Sequence, residues 1–283
     1  MQIRNFCRFQ IEKMLIKRII TAALLLLGLL ISLFWLPKTA WALVLLFPLA
    51  AGAAEWAKLS NLSTRDSGIY ALANIAFAII VYRYNLSVWL YLTALLLWLI
   101  IVPMWLAIGW RLESFWLRVP LGFIVLIPVW IALVELRDRG PWWVLLLMGV
   151  VWIADSAAYF TGRRFGKHKL APNISPGKTW EGVIGAMLGV AAYCLIVLLV
   201  LRGPAFNPIA WAIPILLLGL LMLYLGILGD LFESWIKRLA SVKDSGNLLP
   251  GHGGVLDRID ALSATLPIAA LILLHADLFQ QIL

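Results

Sequence analysis

Charged residues are scarce in this chain of 283 residues. They make up 13% of it, whereas hydrophobic residues make up 63%. A soluble domain carries about 25% charged and roughly 45–50% apolar residues. The composition therefore excludes an ordinary soluble protein and indicates a helical membrane protein. Many of the 15 Trp also lie near the ends of apolar runs, as in the aromatic belts of membrane proteins.

Cysteine is almost absent, and several motifs are missing. Cys7 and Cys194 fit no disulfide or metal-binding spacing, and packing is the expected role of Cys194 within its apolar run. No small-residue cleavage site follows the first apolar run, so we interpret that run as a membrane helix. The net charge of +9 comes without an aromatic–basic nucleic-acid motif. We therefore expect basic loops at a membrane face and no nucleic-acid partner.

Apolar segments of about 20 residues can each cross the hydrocarbon core as a helix. Nine such segments are present: 18–36, 39–58, 67–83, 86–109, 115–136, 141–162, 181–201, 208–232 and 259–281. They predict an all-α, polytopic integral membrane helical bundle with about nine transmembrane helices. In this organisation, residues 1–17 form a cytoplasmic N-terminal segment and residues 18–283 form a single multi-span membrane domain.

The distribution of Lys and Arg predicts the orientation of the bundle. When the connections are numbered alternately from the N-terminal segment, only five of the 23 basic residues fall on the far side: Lys38, Arg83, Arg137, Arg139 and Arg202. Because cytoplasmic loops carry the excess of Lys and Arg, the N-terminus is predicted to be cytoplasmic and the C-terminus outside. Both large polar loops, 163–180 and 233–258, then face the cytoplasm, where nucleotides are available.

The eighth segment runs on into a polar helix face. Asp230, Ser234, Lys237 and Arg238 recur at a spacing of three or four residues, which places them along one face. Nothing before Arg238 breaks the helix, so we expect it to continue to that residue. A carboxylate at the end of an apolar span is costly unless it is paired or bound to metal. For Asp230, an ion pair with Lys237 or Arg238 and a metal site are both open.

A glycine-rich stretch, GHGGVLDRID over 251–260, begins the ninth segment. Its glycines allow either a turn or a close approach of the backbone to a phosphate. Asp257 and Asp260 lie on one helix face, where interaction with the helix dipole is the alternative to metal binding. Carboxylates that meet from two helix ends suit Mg²⁺. Mg²⁺ prefers oxygen, so we interpret His252 as a phosphate donor or loop hydrogen-bonder.

The sixth segment carries a third acid, Asp155, about two turns before a loop rich in Lys and Arg. Acids inside a membrane span are functional by default. Attraction to anionic lipid explains part of the basic loop, but Lys178 is placed to reach a phosphate. We interpret His168 as an interfacial residue rather than a catalyst. Structural or incidental roles are expected for four further residues: Glu55, Glu113, Glu135 and His275.

Together these residues resemble the signature of the phosphatidate cytidylyltransferase family, also called CDP-diacylglycerol synthases. The signature is matched over 27 residues by Ser234, Lys237-Arg238, Lys243-Asp244, His252-Gly253-Gly254, Asp257-Arg258 and Asp260. The segments ADSAAYFTGRRFG and ISPGKTWEG also look like the family. One position departs from the pattern, because Gly177 stands where a second lysine is expected before Lys178. The resemblance covers roughly residues 14–283, with the catalytic region over 152–262.

The resemblance implies that CTP and phosphatidate react to give CDP-diacylglycerol and pyrophosphate at the cytoplasmic face of a bacterial inner membrane, in a homodimer. It implies Mg²⁺ on Asp230 and Asp257, with Asp155 holding a second cation for which K⁺ is a candidate. Phosphate-binding or catalytic roles are expected for Lys178, Ser234, Lys237, Arg238, Lys243, Asp244, His252, Gly253, Gly254, Arg258 and Asp260. We also expect a cavity that opens sideways to lipid.

Other interpretations stay open. A secondary transporter also has many spans and intramembrane acids, but here the polar residues cluster at one face and no repeated halves are visible. A CDP-alcohol phosphotransferase would carry a different aspartate-rich motif, which is missing. A non-catalytic lipid-binding relative is disfavoured by the complete signature. A cytidylyltransferase for another lipid phosphate shares the same chemistry.

Overall fold

The computed structural model describes residues 2–109, 114–201 and 207–275, with side chains from residue 19 onward. Within these residues the chain forms nine helices and one two-stranded hairpin. The helices are α1 Gln2–Trp35, α2 Lys38–Leu59, α3 Thr64–Arg83, α4 Ser87–Ile108, α5 Phe115–Arg139, α6 Pro141–Phe165, α7 Trp180–Val200, α8 Pro208–Leu239 and α9 Leu256–Leu274. The strands are β1 Lys169–Ala171 and β2 Ser175–Thr179.

The nine predicted segments each overlap one of these helices, and α8 continues past Arg238 as expected. Six helices, α2 and α4 to α8, are long and apolar enough to cross a membrane, whereas the described apolar part of α1, Ile19–Trp35, is shorter. The chain is therefore a helical membrane protein. Nine spans and a cytoplasmic N-terminus stay predictions. Residues 276–281 of the last predicted segment, Arg111, Glu113 and Arg202 lie outside the described residues.

Helices α5 and α9 form the centre of the bundle. In α5, 67% of the most apolar window is buried inside the protein, and α9 is buried continuously from Ala261 to Leu271. Helices α2, α4 and α6 pack against both α5 and α9, and α8 packs against α9. The N-terminal end of α9, with its two aspartates, is therefore surrounded by other helices at one end of the bundle.

Several helix pairs approach closely at glycines, as is common between membrane helices. A side chain at Gly185 of α7 would collide with Thr161 of α6. A side chain at Gly229 of α8 would collide with the backbone of Asp260 in α9. The second contact brings α8 against α9 directly beside Asp230, and it explains why aspartates from two distant segments lie near each other.

The connection between α6 and α7 is an antiparallel hairpin, which the all-α prediction missed. Lys169 of β1 lies opposite Thr179 of β2. The hairpin is fastened to the start of α7, because His168 Nδ1 lies 2.7 Å from Glu181 Oε1. Strands of three and five residues are too short for a clear alternating pattern. The hairpin fixes the direction of Lys178, which lies near the end of β2.

Candidate functional site

The two polar loops lie together at one end of the bundle. Arg238 Nε of α8 donates to the carbonyl oxygen of Ile174 in the hairpin turn at 3.5 Å. Lys178 Nζ lies 2.5 Å from Asp230 Oδ2, and the Ser234 hydroxyl donates to Asp230 Oδ1 at 3.3 Å. Asp230 is thus in an ion pair, as one alternative held, but with a cation of the hairpin rather than of its own helix.

Three aspartates from three helices converge at this end. Asp155 of α6, Asp230 of α8 and Asp260 of α9 lie within electrostatic range of one another. Lys178 and Arg258 are the cations that act on Asp155. The Asp155 side chain is exposed, and that of Asp230 is 34% exposed. We name Asp155, Lys178 and Asp230 the open cluster, because all three side chains are at least partly exposed.

A second cluster beside it is closed. Lys237 Nζ lies 2.6 Å from Asp257 Oδ1 and 2.7 Å from Glu233 Oε2, with only 12% of the lysine and 7% of the Asp257 side chain exposed. Asp257 Oδ2 accepts hydrogen bonds from the backbone N–H groups of Gly254 and Ser245 at 2.8 and 3.0 Å. Burial alone would raise the pKa of Asp257, but the hydrogen bonds from Lys237, Gly254 and Ser245 hold it below its usual value.

The closed cluster therefore anchors a loop. The carboxylate of Asp257 is fully engaged by protein donors, and Lys237 is held between two acids. Ser245 also donates its hydroxyl to Asp257 Oδ2 at 3.0 Å. We name Lys237, Glu233, Asp257 and Ser245 the anchored cluster. In this arrangement Lys237 reaches a phosphate only if it leaves Asp257 or Glu233.

The metal prediction depends on how many protein ligands the ion needs. Across the described residues, no group of three or more His, Cys, Asp or Glu side chains is arranged to hold a metal ion. Mg²⁺ often takes only one or two carboxylates, keeps several waters and binds substrate phosphates. The reachable oxygens of Asp155 and Asp230 fit that mode, whereas Asp257 would first have to release Lys237. The assignment of Mg²⁺ to these aspartates stays a prediction.

A cavity of about 530 Å³ lies at the loop between α8 and α9. Its size is typical of small-molecule sites. The polar side chains that line it are Lys243, Asp244, Asn247, His252 and Arg258. Arg258 belongs to the cavity wall and lies within electrostatic range of Asp155 in the open cluster. His252 Nδ1 is buried without a hydrogen-bond partner in the part of the chain that the structure describes.

The glycines of the loop have two different roles. Gly251 and Gly253 adopt φ values of 76° and 80°, a left-handed conformation that favours glycine. They close a turn in which Leu249 N–H donates to the Gly253 carbonyl at 2.9 Å. Gly254 instead has no room for a side chain, which would collide with Ser245. Its N–H is bound by Asp257, so the turn alternative holds for this stretch in the structure.

Sequence reasoning missed Glu233, Ser245 and Glu55. Glu233 lies four residues before Lys237, so helical spacing would have identified it as a partner. Glu55 is an acid within an apolar span, which is itself a signal of function. Its partners, however, lie about 190 to 200 residues further along the chain, and no local pattern connects them.

The comparison with known proteins settles the family. The sequence profile described as the Cytidylyltransferase family matches residues 16–276. The chain belongs to this family. A phosphatidate cytidylyltransferase of Pseudomonas aeruginosa is 38% identical over 269 residues, which cover 92% of this chain and 97% of that relative.

Two other relatives match about half of this chain. A phosphatidate cytidylyltransferase of Haemophilus influenzae is 41% identical over 167 residues, which cover 54% of this chain and 58% of that relative. One of Brucella suis is 46% identical over 138 residues, which cover 49% and 48%. The family resemblance stated from the signature is thereby confirmed.

Proposed function

We propose that this membrane protein transfers the cytidylyl group of CTP to phosphatidate, giving CDP-diacylglycerol and pyrophosphate. The observation that carries the proposal is the convergence of the open cluster and the cavity at one end of a bundle that belongs to the cytidylyltransferase family. The relative from Pseudomonas aeruginosa, named a phosphatidate cytidylyltransferase, matches nearly its whole length and supports this substrate pair.

The reaction joins two polyanions. A phosphate oxygen of phosphatidate attacks the α-phosphorus of CTP, the bond from that phosphorus to the oxygen bridging to the β-phosphate breaks, and pyrophosphate leaves. The attacking oxygen is already anionic, so no strong general base is needed. The barrier comes from charge repulsion, which fixed cations lower. Lys178, Lys243 and Arg258 are the cations that border the open cluster and the cavity.

The two substrates are proposed to approach from different sides. CTP occupies the cavity, where Lys243, His252 and Arg258 contact its phosphates. Phosphatidate reaches the open cluster from the membrane, because Asp155 is exposed on α6, a helix apolar enough to span the bilayer. The acyl tails then stay in lipid while the head group meets the nucleotide near Lys178.

A divalent cation fits this arrangement. Asp230 and Asp155 are the residues that would hold Mg²⁺ or a second cation such as K⁺, and Asp257 would join them on release from Lys237. When bound, Mg²⁺ supplies charge neutralisation at phosphate oxygens. The residues of the chain orient the two substrates.

The decisive experiment follows labelled CTP into lipid with the purified protein. We expect label in the lipid fraction only when phosphatidate and Mg²⁺ are both present. Label that appears without phosphatidate, or no transfer at all, contradicts the proposal. Solute flux across liposomes in the absence of nucleotide would support the transporter instead. Replacement of phosphatidate by other lipid phosphates tests whether a different lipid is the true acceptor.

We also propose that the site faces the cytoplasm of a bacterial inner membrane. The prediction from basic residues places the hairpin inside and the α3–α4 connection outside. In a chain with Cys7→Ser, Lys167→Cys should react with a membrane-impermeant maleimide only after the membrane is opened. Arg83→Cys, exposed at the end of α3, should react in intact spheroplasts. The reverse pattern contradicts the orientation.

A further inference from the structure

Glu55 is a buried acid on α2, and it contacts the loop that lines the cavity. Only 5% of the residue is exposed. Its Oε1 accepts a hydrogen bond from Val255 N–H at 3.0 Å, and its Oε2 accepts one from Leu256 N–H at 2.9 Å. Oε2 also accepts a hydrogen bond from the Ser245 hydroxyl at 3.0 Å. Three donors from a distant loop thus satisfy one buried carboxylate.

These contacts make Glu55 the cap of α9. The first N–H groups of a helix have no partner within the helix, and α9 has no capping side chain from its own N-cap residue, Val255. The carboxylate of Glu55 fills this role from another helix. A negative charge is also favourable at a helix N-terminus because of the helix dipole.

The part of α2 that carries Glu55 packs closely against α5. Trp56, the next residue along α2, donates its Nε1–H to the carbonyl oxygen of Arg118 at 2.9 Å. Arg118 in turn donates to the carbonyl oxygen of Leu59 at 3.3 Å. A side chain at Gly122 would collide with Trp56, so α2 and α5 lie in close contact. Glu55 therefore projects from a part of α2 that is closely packed against α5.

Glu55 also accounts for two glycines of the loop. A Cβ at Gly246 would collide with the Glu55 side chain, which supplies the three nearest atoms to that position. A Cβ at Gly254 would collide with both Glu55 and Ser245. Neither glycine has a positive φ, so what these positions require is space for the carboxylate rather than unusual backbone conformation.

We propose that Glu55 is a positioning residue for the nucleotide cavity. It ties Ser245 to the start of α9, and the segment between these two points supplies Asn247, His252 and Gly253 to the cavity wall. Asp257 holds the same loop from the other side through Ser245 and Gly254. Glu55 acts through the loop and touches no substrate. The kinetic part of this inference rests on the proposed function.

The first test is Glu55→Gln. The amide oxygen of Gln can still accept a hydrogen bond where one carboxylate oxygen of Glu55 did. The amide NH₂ replaces the other oxygen and faces hydrogen-bond donors, so about half of the cap is lost. A loop that spends less time in the competent conformation weakens apparent binding in proportion. We expect CTP affinity and the KM for CTP to worsen about tenfold, with the KM for phosphatidate within about twofold.

The matched control is Glu135→Gln. Glu135 of α5 is a partly buried acid that accepts a hydrogen bond from Tyr91 at 2.9 Å, and it is not among the residues that line the cavity. We expect both KM values to be unchanged. A merely structural role for Glu55 would lower kcat through loss of active protein and leave the KM for CTP as it was, and that result overturns the proposal.

Gly246→Ala gives an independent test if Glu55→Gln folds poorly. Its Cβ pushes on Glu55 from the loop side, so it should raise the KM for CTP as well. The double variant Glu55→Ala with Gly246→Ala should be no worse than Glu55→Ala alone, because the collision is then absent. Full additivity of the two effects contradicts the shared contact.

Hydrogen exchange separates this inference from the proposed function. Without substrates, the amides of Val255 and Leu256 should exchange faster in Glu55→Gln than in the wild type or Glu135→Gln. Equal exchange overturns the positioning role even if the enzyme is active. Conversely, if the wild type transfers no cytidylyl group, the proposed function fails while faster exchange would still establish Glu55 as the anchor of the loop.

Discussion

The open and anchored clusters lie at the same end of the bundle, and both combine aspartate with lysine. They differ in how far the carboxylates are exposed and in how many protein groups donate hydrogen bonds to them. In the anchored cluster, Asp257 has four protein donors and is 7% exposed. In the open cluster, Asp230 has Lys178 and Ser234 as partners and is 34% exposed. A satisfied carboxylate holds structure, whereas a reachable one with few partners is available to a ligand.

This difference predicts which residues of the family signature contribute to stability and which contribute to activity. Removing one partner of a buried ion pair costs about 3–5 kcal/mol, whereas an exposed pair contributes about 0–1 kcal/mol. Substitutions in the anchored cluster should therefore destabilise the fold. Substitutions in the open cluster should remove catalysis and leave the fold intact.

The largest expected effect on activity comes from Asp230→Asn. We expect kcat/KM to fall about 10²- to 10³-fold, a range typical for loss of one preorganised electrostatic group. The thermal unfolding midpoint should hardly change. Asp138→Asn is the matched control, because it breaks a partly exposed ion pair with Lys38 at 3.3 Å. Full activity of Asp230→Asn would remove Asp230 from the site.

Lys178→Ala should follow with a loss of about ten- to a hundredfold in kcat/KM, since a hydrogen bond to a charged group contributes about 1.5–3 kcal/mol. Lys169→Ala changes a cation of the same hairpin that has no ion pair among the described residues. It should leave the rate within about twofold. Similar losses in both variants would indicate general attraction of anions by the hairpin.

A smaller effect is expected from Arg258→Gln. Arg258 lines the cavity and is exposed, so the loss of its charge should raise the KM for CTP about tenfold, at the lower end of the range for such contacts. Raising the salt concentration should reduce the difference in the KM for CTP between this variant and the wild type, because exposed charges are screened. An unchanged KM for CTP would exclude the nucleotide from this cavity.

Sequence reasoning predicted the elements better than their contacts. The apolar runs identified the helices because each is about one bilayer thick, and the signature identified the family because its residue types recur at fixed spacing. The β-hairpin was missed since its strands are short. The ion-pair partner of Asp230, Lys178, and the partners of Glu55 come from other elements, so only the packing of the bundle reveals them.

The role of Asp257 also depends on contacts that the signature alone does not reveal. From sequence, Asp257 and Asp230 are equivalent metal candidates. The structure separates them by burial and by hydrogen bonds from Ser245 and Gly254, which depend on how the loop folds back on α9. Whether either aspartate binds Mg²⁺ stays a prediction.

The most direct test of the account is the unfolding midpoint of Asp257→Asn measured beside that of Asp230→Asn. The account predicts that Asp257→Asn loses about 3 kcal/mol of stability, because among the described residues Lys237 then keeps Glu233 as its one charged partner. Asp230→Asn should lose less than about 1 kcal/mol. Equal midpoints for the two variants, or a larger loss in Asp230→Asn, would contradict the division into anchored and open clusters.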